Sequence, residues 1–159
     1  LEGEDRERAK KLSEATNDPS EYLWNIRNEE RFSTAMHNLQ TEAISYHAPC
    51  HLRAQGIGFK GRDLIKKITG SKMKTVMECC GHDGTYAMKV ESFDASKRIG
   101  QKSFDGMKTE ETEVWVTDCP LAALQFKQHA GVKPKHPMSI LAEAYRSVDT
   151  ENKLYNYTN

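Results

Sequence analysis

Cys50, Cys79, Cys80 and Cys119 are all the cysteines of this chain, and each follows a short apolar run: EAISYHAPC, VMECC and VWVTDC. Thiolates are soft ligands, and four of them in one place suit an iron–sulfur cluster or zinc. One such cysteine alone would read as a small buried hydrophobe. Four at the ends of strand-like segments, with none elsewhere, read as a ligand set. Two disulfides are the weaker account, because the adjacent Cys79 and Cys80 would each need a separate, well-placed partner. The chain also lacks the short-loop, cysteine-dense look of a secreted scaffold.

The elements around the cysteines must bring them together. Glu42–His47 alternates loosely around Ile44 and Tyr46 and predicts a strand, which Pro49 stops just before Cys50. Ala54–Gly61 is a glycine-punctuated turn, and Arg62–Thr69 predicts a helix whose Leu64, Ile65 and Ile68 share one face. Lys74–Glu78 predicts a second strand running into Cys79-Cys80-Gly81, where glycine permits a close backbone approach or positive φ. Tyr86–Met107 reads as mostly helical, bent near Phe93-Asp94, with Val90, Phe93, Ile99 and Phe104 as core candidates. Glu113–Thr117 is the clearest strand. Pro120 then suits a first helical turn, Leu121–His129 continues it, and a last helix runs from Pro137 to Arg146 before a polar, fraying tail.

The order strand, helix, strand, helix, strand, helix predicts an α/β fold: a small, mostly parallel sheet with crossover helices in three layers, Rossmann-like. In such a sheet the C-terminal strand ends share one edge, where ligands bind. The three cysteine-bearing ends therefore converge by topology, although Cys50 and Cys119 are far apart in sequence. Before this unit, residues 2–16 are charged and helix-permissive. Ser20 reads as the N-cap of a helix over Glu21–Phe32, whose Leu23, Trp24 and Ile26 suit a core or a partner domain. The expected division is a helical segment and linker at 1–41, a cysteine-rich domain at 42–148 and a tail at 149–159.

His47, His51 and His82 flank the cysteines. His51 and His82 are candidates either to replace a thiolate as ligand or to donate a hydrogen bond to one; His47, on the strand before Pro49, is the weaker ligand candidate. Asp118 suits a cap for the helix after Pro120. Arg53, Lys60 and Arg62 form a basic cluster that offsets site charge, faces a partner or is merely solvated. GIGFKGRD lacks the spacing and the Lys-Ser or Lys-Thr of a phosphate loop. The acidic run Glu110, Glu111 and Glu113 reads as solvent-facing.

Composition excludes several classes. With 159 residues the chain holds one full core and not two ordinary domains. Its 23 basic and 23 acidic residues leave no net charge, so the basic excess of a nucleic-acid binder is missing. No apolar run is long enough for a transmembrane helix. The start at Leu1-Glu2-Gly3, without methionine, suits a processed chain or a piece of a longer protein.

The words YHAPCHLRAQGIG, ECCGHDGTYAMK and VTDCPLAALQ resemble the cysteine-rich CCG domain, over roughly Glu42 to Tyr145. They look like the second CCG repeat of the anaerobic glycerol-3-phosphate dehydrogenase iron–sulfur component; the family also includes the CCG-bearing component of heterodisulfide reductase. The resemblance implies that Cys50, Cys79, Cys80 and Cys119 hold an iron–sulfur cluster, of 4Fe-4S type, in an electron-transfer component of an oxidoreductase complex. It implies partner subunits, a flavoprotein and a quinone-linked membrane partner among them, and a cytoplasmic location at or near the membrane. One position departs: the full pattern ends Cys-x-x-Cys, and here Ala122 stands three after Cys119. Four ligands satisfy one cubane cluster or one zinc, so a structural zinc module is the alternative and disulfide-reducing chemistry is the less supported transfer. Relatives usually carry two repeats and this chain carries one, which implies a missing upstream repeat or a split protein.

Overall fold

A computed structural model of the chain describes residues 1–32, 43–109 and 112–156. Residues 33–41, the end of the expected linker, and the acidic pair Glu110 and Glu111 lie outside the described residues. Two helices lead: α1 (Gly3–Ala15), which buries none of its residues, and α2 (Pro19–Asn25). Then come β1 (Ala43–His47), α3 (Cys50–Ala54), α4 (Lys60–Thr69), β2 (Met73–Val76), a 3₁₀ turn (Tyr86–Met88), α5 (Val90–Met107), β3 (Thr112–Thr117), α6 (Pro120–Ala130) and α7 (Pro137–Asn156).

The three strands are parallel in the order β2-β1-β3. Central β1 is covered on both faces. On one face Ile44, Tyr46 and Ala48 pack with Ile65 of α4, Val116 of β3 and Ile140 of α7. The other face meets α5 and α6, where Phe104, Trp115 and Phe126 form edge-on aromatic pairs with ring centroids 5.6 and 5.7 Å apart. Each such pair adds roughly 0.5–1.5 kcal/mol beyond its buried area. The expected α/β three-layer arrangement is the observed one.

Several boundaries differ from the sequence expectation, each for a local reason. The N-cap of α2 is Asp18, not Ser20: its carboxylate accepts from the Ser20 and Glu21 amides at 2.8 and 3.3 Å, and Pro19 fills the first turn. The helix stops at Asn25, where Arg27 donates to the Trp24 carbonyl at 2.7 Å, and turns carry the chain on to Phe32. Strand β2 ends at Val76, so Cys79-Cys80 sits in a loop beyond the strand. The break expected near Phe93-Asp94 falls at Lys89 instead, between the 3₁₀ turn and α5. Helix α7 runs on to Asn156, past the expected fraying at Arg146.

The inward face of α5 is the largest correction. Val90 is 91% exposed and Ile99 49% exposed; of the four expected core residues Phe104 is buried and Phe93 half-buried. The buried face is Ser92, Ser96, Gly100, Ser103, Phe104 and Met107. Ser96 and Gly100 are small because the Cys79-Cys80-Gly81 loop lies directly on the helix backbone there, while Phe104 and Met107 enter the aromatic core.

Candidate metal centre

Beyond His47, Val76 and Thr117 the sheet register ends, and each chain leaves to carry its cysteine. Cys50 follows Pro49 and opens the short α3, exposed at the rim. Cys79 is exposed and Cys80 buried in the loop after β2. Cys119 is half-buried and is the N-cap of α6. All four thiols are free, and all four line one cleft of about 180 Å³ at the C-terminal edge of the sheet. His51, His82, Arg53 and Asp83 line it too. The expected convergence of the cysteine-bearing ends is therefore what the fold produces.

Glycine makes the paired-cysteine loop fit. Gly81 has φ +81°, and a Cβ there would lie 2.1 Å from the Ser96 carbonyl oxygen. Opposite it, a Cβ on Gly100 would lie 2.6 Å from the Cys80 carbonyl oxygen. Loop and helix thus touch backbone to backbone. Ser96 locks the contact: its hydroxyl donates to the Gly81 carbonyl at 2.7 Å and accepts from the Gln125 amide of α6 at 3.0 Å. The helix that begins at Cys119 is in this way fastened to the loop that holds Cys79 and Cys80.

Backbone amides point at the sulfurs. Gly81 N–H donates to Cys79 Sγ at 3.3 Å and Ala122 N–H to Cys119 Sγ at 3.4 Å. Burial pushes the Cys80 thiol up to about 11, helped by the neighbouring Cys79, Cys119 and Cys50, while a hydrogen bond from the His82 backbone pulls the other way. A thiolate in that position needs a compensating positive charge, which a coordinated metal supplies. Four sulfur donors in a small cleft, two of them receiving amide hydrogen bonds, fit a thiolate-bound metal group. Among the described residues, no group of three or more His, Cys, Asp or Glu side chains is already placed to hold a metal ion.

A family model for the cysteine-rich domain named CCG matches residues 44–127. The chain belongs to the cysteine-rich CCG domain family. It is 30% identical over 102 residues to a protein of Escherichia coli K12 named as one of the subunits of anaerobic glycerol-3-phosphate dehydrogenase, covering 64% of the chain and 26% of that relative. It is 33% identical over 89 residues to lactate utilization protein A of Halalkalibacterium halodurans, covering 54% of the chain and 35% of the relative. The chain thus spans about a quarter to a third of the length of the curated relatives it matches. No solved structure matches it.

Other polar residues of this CCG domain take roles the sequence did not disclose. His47 is buried and commits both ring nitrogens: Nε2–H donates to the Glu78 carbonyl at 3.2 Å, and Nδ1 accepts from the Thr117 hydroxyl at 3.0 Å. Burial lowers its pKa to about 4, so it is neutral at pH 7. Asp118 does not cap α6. It is buried, accepting from the Tyr46 hydroxyl and, at 3.3 Å, from the Ser20 hydroxyl, so it fastens α2 beside the site. The basic cluster divides. Arg53 faces the cleft, Lys60 lies over the Trp24 ring, and Arg62 pairs with Asp63 at 2.7 Å and packs over Phe59. Ser96 and Gln125 carried no apolar or motif signal; only the small-residue repeat Ser92, Ser96, Gly100 marked the face that receives the loop.

Proposed function

We propose that this CCG domain is an electron-transfer module of an oxidoreductase complex, holding a 4Fe-4S cluster on Cys50, Cys79, Cys80 and Cys119. The observation that carries the reading is the convergence of all four thiols on one cleft. When bound, the cluster supplies one-electron oxidation and reduction. The chain's own residues bind and tune it: Cys79 and Cys119 with amide bonds from Gly81 and Ala122, Cys80 with burial, and Arg53, His51 and His82 at the rim. Ala122 forms part of the cleft wall, so the thiolate set available is four.

The likeness to one of the named subunits of a dehydrogenase supports a component that works with partner proteins and carries no bond chemistry of its own. A flavoprotein donor and a quinone-linked membrane acceptor fit that role. Among the described residues no helix is long and apolar enough to cross a membrane; the proposed contact with one runs through the quinone-linked partner, on the cytoplasmic side. Residues 42–148 are the functional unit in this reading, related to the second repeat of the glycerol-3-phosphate dehydrogenase type.

The test is a reductive titration of anaerobically purified protein followed at visible wavelengths. Reversible bleaching by about one electron per chain supports the relay. A colourless protein with one bound zinc, inert to reductant, overturns it and makes the domain a structural interaction module.

A further inference from the structure

We propose that His47 is the positioning residue of the thiolate site, tying the three cysteine-bearing segments to one another and so setting the spacing of the four sulfurs. The inference rests on the reading of those cysteines as cluster ligands. A histidine next to four cysteines invites the role of a fifth ligand, and its geometry excludes that. Nε2–H is spent on the Glu78 carbonyl, one residue before Cys79, and Nδ1 on the Thr117 hydroxyl, two residues before Cys119. The Thr117 hydroxyl in turn accepts from the Cys119 amide at 3.4 Å. His47 itself precedes Cys50 on the same short segment. One imidazole therefore spans β1, the chain beyond β2 and the end of β3.

Its position gives the tie its effect. The last backbone bond between the first two segments is Ala48 N–H to the Val76 carbonyl at 2.9 Å. Past that point the strands diverge, and the imidazole bridges them where the ladder no longer does. The ring is held in turn by Phe126, edge-on with centroids 5.1 Å apart. An aliphatic residue of similar size would leave the Glu78 carbonyl and Thr117 hydroxyl without these partners, so each segment end would be free to move. Glutamine is the conservative replacement, because its amide N–H donates and its carbonyl accepts, as the two ring nitrogens do.

The experiment compares the anaerobically loaded wild-type chain with His47→Leu, His47→Gln, Thr117→Val and a control, Leu141→Ala, in the Phe32–Leu64–Leu141 cluster remote from the cleft. Iron release to a chelator and the midpoint potential are read for each. His47→Leu and Thr117→Val are expected to release iron at least about tenfold faster, the range typical for loss of a residue behind a metal ligand, with a shifted potential. His47→Gln restores both values, and Leu141→Ala lowers stability without moving the potential. Thr117→Val preserves side-chain volume, so it answers the question even if His47→Leu folds poorly. A loaded wild type with release and potential unchanged in both variants, or equally changed in Leu141→Ala, overturns the role of His47 alone. A wild-type chain that takes up no cluster overturns the functional reading, and this inference with it.

Discussion

Gly81→Ala tests the packing that shapes the site. The residue has φ +81°, where an L side chain costs about 1–2 kcal/mol. The new methyl would also meet the Ser96 carbonyl oxygen at 2.1 Å, the Ser96 carbonyl carbon at 3.0 Å and the Gly100 nitrogen at 3.2 Å. These are helix backbone atoms, which cannot swing aside, so overpacking adds about 1–3 kcal/mol. Gly84→Ala, three residues on, provides the comparison: its φ is +49° and a Cβ there meets nothing within 4 Å, so it bears the conformational cost alone. Urea unfolding of the two metal-free variants should separate their stabilities by about 1–3 kcal/mol, with Gly81→Ala the lower. Gly81→Ala should also load less cluster, because the displaced loop carries Cys79 and Cys80. Equal stabilities for the two variants would refute the close loop–helix contact.

Stability of the metal-free chain should fall as the pH drops from about 6.5 to about 4. The buried His47 has its pKa lowered to about 4, while an unfolded histidine titrates near 6.5, so the unfolded chain binds more protons in that window. Burial is the main cause; Arg53 and His51 add to it and the Glu78 carbonyl opposes it. The loss amounts to about 2 kcal/mol by pH 5, and His47→Gln should remove that share of the pH dependence, read by urea unfolding at pH 7.5 and 5. Tyr46→Phe takes a hydrogen bond from the buried Asp118 and should cost about 1–3 kcal/mol; limited proteolysis should also show α2 released earlier. On α5, Val90→Ser should stay within about 0.5 kcal/mol of wild type and Phe104→Ala should lose about 3–5 kcal/mol in thermal unfolding, since Val90 is exposed and Phe104 buried.

The sheet was legible because its three strands are short apolar runs, the first stopped by Pro49, and because parallel topology forces their ends together. The ligand candidates followed from that: Cys50, Cys79, Cys80, Cys119, His51 and His82 do line one cleft. The face of α5 was only partly legible, since apolar periodicity reports burial against side chains and at Ser96 and Gly100 this face is buried against backbone. Val90 and Ile99 satisfied the periodic pattern while Ser96 and Gly100 occupied the contact. The Asp18 cap was obscured by Pro19, which shifts the helix start forward of Ser20. For His47 and Asp118 the residue type was visible and the partner was not. Thr117, Glu78 and Ser20 reach them only through the register of the sheet and the packing of α2, which no spacing in the sequence encodes.

In the proposed reading, four cysteines from three strand ends hold one cluster. Iron and acid-labile sulfide, counted per chain on anaerobically purified protein, test it most directly, alongside single Cys→Ser variants at positions 50, 79, 80 and 119. The account predicts about four iron and four sulfide in the wild type, as a four-cysteine cubane requires, and loss of both in each variant. One zinc per chain without sulfide, or a variant that keeps the full complement, would contradict it.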